Sequence, residues 1–167
     1  PAEKEDFGLI LMENRPEWIY TYFALWDRKA IPIALDSTSN SKEILYVLED
    51  SGPKFIICSD ETEKNVKEAV SIYDKGQVVI INIDSHSIDE NKMEIIKKGD
   101  FELKNPEGDS IATMLYTSGT TGSPKGVMLT FNNLSSELEG LEKKNLLESS
   151  DQILALLPFH HVLPLTA

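Results

Sequence analysis

Cysteine is almost missing from these 167 residues, and the single Cys58 excludes both a disulfide framework within the chain and a cysteine-rich metal site. It sits in the apolar run Phe55-Ile-Ile-Cys-Ser and reads as a small core residue, with a reducing compartment as the default. Histidine is scarce as well. With no second ligand at suitable spacing near His86, His160 or His161, no protein-held metal is expected. No apolar run is long enough to span a membrane, and the N-terminal residues lack the basic-then-apolar pattern of a secretory leader. The expectation is a cytoplasmic protein with no transmembrane segment.

Positive charge is also short, with 16 Lys and Arg against 28 Asp and Glu, a formal net charge of −12. Such a field repels nucleic acid and anionic lipid, so nucleic acid is not an expected partner. Any anionic ligand must be gripped by local donors. What the chain does have is apolar content: 41% hydrophobic and 26% charged residues suffice for one globular domain with a real core. Internal repeats and low-complexity linkers are absent.

Strand-like and helix-like runs alternate. Residues 8–12 read as a first strand, and Asn14-Arg-Pro16 as a helix start with proline in the first turn, the helix running over 17–29. Its Trp18, Ile19, Tyr22, Phe23 and Trp26 fall at helical spacing and predict a broad buried stripe. Residues 31–35 read as a second strand, and Asn40-Ser-Lys-Glu43 as a capping box opening a helix that ends at Gly52. A strand over 54–58, a charged amphipathic helix over 60–75 with Val66, Ala69, Val70 and Tyr73 inward, and an apolar strand over 77–83 covered on both faces follow. A weaker helix is expected over 87–98. Residues 99–109 are polar and read as a loop between two sub-regions, 1–98 and 110–167. Strands are expected over 110–116 and 126–129, a helix through Leu134, Leu138 and Leu141 capped by Thr130 or Asn132, and a strand over 152–157. The fold class is α/β, a mostly parallel sheet flanked by helices.

Between the strands at 110–116 and 126–129 lies Tyr116-Thr-Ser-Gly-Thr-Thr-Gly-Ser-Pro-Lys-Gly126. Gly119 and Gly122 let backbone N–H groups approach an anion closely. Thr117, Ser118, Thr120, Thr121 and Ser123 add hydroxyl donors, and Lys125 adds a mobile positive charge. This set suits a polyphosphate better than a single carboxylate. It is not the standard P-loop, because Pro124 precedes Lys125 and Gly126 follows it, leaving no Gly-Lys-Ser/Thr ending. The alternative is a flexible Gly/Ser/Thr surface turn.

This segment resembles the signature of the AMP-dependent synthetases and ligases, the adenylate-forming superfamily. Asn14-Arg-Pro-Glu-Trp18 and Leu157-Pro-Phe-His-His161 are similar to two further motifs of that family in the same order. Residues 109–116 taken with 157–161 look most like the long-chain fatty acid–CoA ligase branch. Four positions depart from the pattern: Lys29 stands where glycine is usual, Ala34 where proline is usual, and Phe131-Asn132 where many members have His-Arg.

The resemblance implies that a carboxylate, such as a fatty acid, attacks the α-phosphate of ATP to give an acyl-adenylate, from which coenzyme A takes the acyl group. Mg2+ would accompany ATP. Lys125 and the residues Thr117, Ser118, Gly119, Thr120, Thr121 and Gly122 are expected to hold the departing phosphates. The family's motif histidine, at the wall between acyl pocket and α-phosphate, falls on His161, with His160 as the alternative. Family members are several hundred residues long, so the chain is expected to be a fragment of the large N-terminal AMP-binding domain. The remainder of the parent enzyme would supply the adenine, ribose and hinge elements, and peripheral membrane contact by the full-length protein is compatible with this reading. The competing reading is a free-standing nucleotide-binding or regulatory module without catalysis.

Overall fold

Three short apolar runs, at residues 7–11, 31–34 and 55–58, form inner parallel strands because both of their faces are covered, which leaves little room for a polar residue. The structure is a computed structural model that describes residues 6–85, 107–117, 124–144 and 157–161. Its elements in chain order are β1 (Phe7–Leu11), α1 (Pro16–Asp27), β2 (Ile31–Ala34), α2 (Ser41–Ser51), β3 (Phe55–Cys58), α3 (Asp60–Ile72), β4 (Val79–Asn82), β5 (Ile111–Thr117), β6 (Lys125–Thr130) and α4 (Phe131–Glu142). One sheet carries the order β4-β3-β1-β2-β5-β6. Every pairing is parallel except the β5–β6 hairpin.

Successive β1 residues point to opposite faces and so join different cores. Leu9 and Leu11 pack with Ile44, Val47 and Leu48 of α2 and Val66 and Ala69 of α3. Ile10 and Met12 pack with Trp18, Tyr22 and Leu25 of α1. Cys58 lies wholly buried in the first cluster, where burial pushes its thiol up to about 11.

The caps follow the sequence closely at α2. The Asn40 side chain accepts from the Glu43 N–H at 3.2 Å, the Glu43 carboxylate accepts from the Asn40 N–H at 2.9 Å, and Gly52 ends the helix at φ 59°. At α4 the cap is Thr130 rather than Asn132, its hydroxyl accepting from the Asn133 N–H at 3.2 Å.

Three expectations are corrected. The α1 stripe is narrower than its aromatic content implies: Ile19 and Phe23 are 37% and 58% exposed, while Leu25 is buried in their place. A single covered face spans only part of a helix, and Trp18, Tyr22 and Leu25 already fill it. The strand expected over 77–83 is shorter and is an edge strand among the described residues, so Val79 stays exposed. Leu157 lies in a bend rather than a strand. The rest of that expected strand and the helix over 87–98 fall outside the described residues, as does His86.

Candidate functional site

Because β1, β2 and β5 run parallel, their carboxyl ends share one edge of the sheet, the edge at which open α/β sheets hold ligands. β5 delivers Thr117 there, and the antiparallel return strand starts directly opposite: Thr117 pairs with Lys125, and Tyr116 with Gly126. Thr117 and Lys125 are both exposed, and Lys125 makes no ion pair among the described residues. An uncommitted ammonium beside a hydroxyl fits a phosphate group. Ser118, Gly119, Thr120, Thr121 and Gly122 lie outside the described residues.

Both arms of this hairpin are fastened to α2. The Tyr46 hydroxyl donates to the Pro124 carbonyl at 2.8 Å, and the Tyr116 hydroxyl donates to the Asp50 carboxylate at 2.7 Å. The two rings meet edge to face with centroids 6.5 Å apart. Gly126 fits against Tyr116 and Met114 for lack of a side chain, since a Cβ there would lie 3.1 Å from Met114 Sδ and 3.3 Å from Tyr116 Cζ. Burial pushes the Tyr116 phenol well above its usual range, and the Asp50 carboxylate pushes it further the same way.

The histidine segment reaches the same edge through Asn14, which follows β1. Its side chain is bonded to Leu157 and Phe159, and the Phe159 ring packs on Trp18 with centroids 5.5 Å apart. The two histidines are brought together at 4.3 Å between ring centroids but face different surroundings. His160 is only 16% exposed and lies 3.7 Å from Asp36, just beyond β2, whereas His161 is exposed. Burial lowers the His160 pKa; nearby Asp36 opposes this and His161 adds to it. Burial pushes the Asp36 carboxyl up, but bonds from the Thr38 N–H and hydroxyl, together with the two histidines, outweigh it and leave it below the usual range.

The crevice between β1 and β3, where strand order reverses, is taken by an ion-pair cluster that composition gave no sign of. Arg15 pairs with Glu13, Glu17 and Asp84 at 3.1, 2.9 and 2.9 Å, and the Ser59 hydroxyl donates to Glu13 at 2.7 Å. Asp84 also accepts from the Asp60 N–H at the start of α3, at 2.9 Å. Sequence reasoning missed Tyr46, Asp50, Asp36 and Arg15, whose partners are all set by the fold. Asn14 and Arg15 had a signal, as the first two residues of a quoted motif, but nothing in it named their partners.

Comparison with known proteins follows from this geometry. The family described as AMP-binding enzyme matches residues 2–167. The chain is 33% identical over 174 residues to 2-succinylbenzoate–CoA ligase of Bacillus velezensis, a match that covers 99% of the chain and 31% of that protein. It is 32% identical over 147 residues to fatty acyl-CoA synthetase A of Dictyostelium discoideum, covering 78% of the chain and 22% of that protein. Among solved structures, o-succinylbenzoate coenzyme A synthetase of Bacillus subtilis in complex with ATP and a magnesium ion superposes with a TM-score of 0.75 at 30% identity, over 99% of this chain and 41% of that one. The chain thus spans less than a third of the length of either curated relative.

Proposed function

The chain belongs to the AMP-binding enzyme family, and from that premise we propose that it is part of an acyl-activating ligase, with a long-chain fatty acid as the favoured carboxylate. In the proposed reaction the carboxylate attacks the α-phosphate of ATP, bound with Mg2+, to give an acyl-adenylate and release pyrophosphate, and the thiol of coenzyme A then takes the acyl group as a thioester and releases AMP. Residues 1–98 and 110–167 would be two sub-regions of one N-terminal domain joined by residues 99–109, in keeping with β5 pairing directly to β2 in one sheet. We place the protein in the cytoplasm as part of the same proposal; no described helix is long and apolar enough to cross a membrane.

The single observation that carries the reading is the pairing of Thr117 with Lys125 across the mouth of the hairpin. That pairing holds a hydroxyl donor and an ammonium that makes no ion pair among the described residues side by side at the ligand-binding edge of the sheet. There they can neutralise charge on departing phosphates without first breaking an ion pair. The loop residues Ser118, Gly119, Thr120, Thr121 and Gly122 are proposed to complete the grip with their N–H and hydroxyl groups. His161, exposed beside the better covered His160, is the proposed wall between the acyl and phosphate sites.

The test is pyrophosphate exchange into ATP by the full-length parent protein, supplied with long-chain fatty acids and with short and aromatic carboxylates. Exchange with a long-chain acid is expected, and Lys125→Ala should lower it by about 3 kcal/mol of transition-state stabilisation, the loss typical of one preorganised donor. Exchange with none of these acids would refute the ligase reading and leave a nucleotide-binding module. Exchange with only short or aromatic acids would refute the fatty acid assignment alone.

A further inference from the structure

Tyr46 and Asp50 stand one helical turn apart on α2 and therefore on the same face, the face that meets the β5–β6 hairpin. We propose that Tyr46 and Asp50 are positioning residues for Lys125, acting through its two chain neighbours; the inference rests on Lys125 being a phosphate ligand, as argued above.

Pro124 has no N–H, so its carbonyl is its one backbone hydrogen-bonding group. That carbonyl belongs to the peptide unit leading into Lys125, and it accepts the Tyr46 hydroxyl at 2.8 Å. The bond sets the plane from which the Lys125 backbone departs. On the other side, Gly126 is held against Tyr116, and Tyr116 is in turn tied to Asp50 at 2.7 Å. Lys125 is thus exposed between two fixed neighbours. A long flexible side chain gains positional accuracy when its backbone is fixed, because fewer arrangements compete with the productive one.

The rings of Tyr46 and Tyr116 pack at the margin of the first cluster, but the ties themselves are made by their hydroxyls. Asp50 is exposed, and the buried part of that cluster on the same helix is Ile44, Val47 and Leu48. A merely structural role would move stability and little else.

The test uses the full-length protein with Tyr46→Phe, Asp50→Ala, Asp50→Asn and, as reference, Lys125→Ala. Two readouts are taken: hydrogen–deuterium exchange of residues 124–130 without nucleotide, and the KM for Mg-ATP set against kcat in pyrophosphate exchange. Tyr46→Phe keeps the ring and loses only the hydroxyl. It should speed exchange at 124–130 and raise KM about fivefold, the effect of one neutral hydrogen bond. Asp50→Ala should act in the same direction, whereas Asp50→Asn retains an acceptor for Tyr116 and should stay near the wild type. Altered melting temperature with exchange and KM unchanged in Tyr46→Phe and Asp50→Ala would overturn the inference. If Lys125→Ala is impaired while both variants match the wild type, the positioning role alone falls. If Lys125→Ala is itself unimpaired, the phosphate reading falls with it.

Discussion

Asn14 grips both flanks of Pro158: its side-chain nitrogen donates to the Leu157 carbonyl at 2.9 Å, and its side-chain oxygen accepts from the Phe159 N–H at 2.9 Å. One side chain thus ties the turn after β1 to a segment more than 140 positions later, using both ends of a group that donates and accepts. Asn14→Ala should therefore lower stability by about 1–2 kcal/mol, two hydrogen bonds at an exposed site. Asn14→Asp, which keeps the acceptor and loses the donor, should fall between. Urea unfolding measures both, and equal stability of Asn14→Ala and the wild type would refute the clamp.

Lys29 is the one described non-glycine residue in the left-handed region, at φ 58°, and the resemblance drawn from the sequence leads one to expect glycine there. The conformation is forced by the turn from α1 to β2, whose Ala30 N–H donates to the Leu25 carbonyl at 2.9 Å. Relief of the Cβ clash should exceed the extra backbone entropy of glycine, so Lys29→Gly is expected to stabilise by about 0.5–1 kcal/mol. A thermal unfolding comparison decides it, and a lower midpoint in the variant would count against this account.

Tyr22 is 2% exposed, and its hydroxyl has no hydrogen-bond partner of good geometry among the described residues. The neighbouring Thr113 hydroxyl donates to the Pro32 carbonyl at 3.0 Å. Burial accordingly holds the Tyr22 phenol far above its usual range, against a small opposing effect of Thr113. Tyr22→Phe removes a dehydrated polar atom while keeping the ring stacked on Trp18 at 5.2 Å. The variant should range from neutral to about 1 kcal/mol more stable. A loss above that size, measured by denaturant titration, would mean the hydroxyl is bonded after all.

The Arg15 cluster predicts a pH-dependent variant. Burial raises the Glu13 pKa, but its own backbone N–H, Ser59 and Arg15 outweigh this, and its carboxyl lies below the ordinary range. Arg15 lowers Glu17, and the Asp60 N–H followed by Arg15 lowers Asp84. A carboxylate with a depressed pKa adds stability that is full above its unfolded value and is lost as pH falls through the folded value. Arg15→Gln should therefore be less stable than the wild type at pH 7, with the gap closing as pH drops below the ordinary carboxylate range. Unfolding free energies measured from pH 7 to pH 3 test this, and a constant gap would refute it.

Much of the fold was legible in local patterns. The Asn40 to Glu43 box and Gly52 specify both ends of α2 by chemistry contained within the helix and its flanks. The apolar runs at β1 and β3 announced strands, and both contribute to the two clusters on opposite faces of the sheet, whereas the run over 77–83, read as covered on both faces, forms an edge strand among the described residues. At α1 the pattern misled, because aromatic residues at helical spacing mark where a buried face is possible without saying how wide the covering surface is. Ile19 and Phe23 carry the same periodic signal as Trp18 and Tyr22 and differ only in what lies opposite.

The amino-acid order determined most of the described elements and the mostly parallel character of the sheet, since turn residues, caps and apolar spacing act over a few positions; the phosphate-type chemistry it offers at residues 117–125 is the premise of the proposed function. Tertiary structure alone decided that Tyr46 and Asp50 fasten the arms of the hairpin, that Asn14 clamps Pro158, and that His160 rather than His161 meets Asp36. Those contacts join residues 66 to 145 positions apart, or arise where a chain segment lands on a surface formed elsewhere. No local preference encodes such a partner, because hydrogen bonds and ion pairs are fixed by the distance between groups in space and not by their separation along the chain.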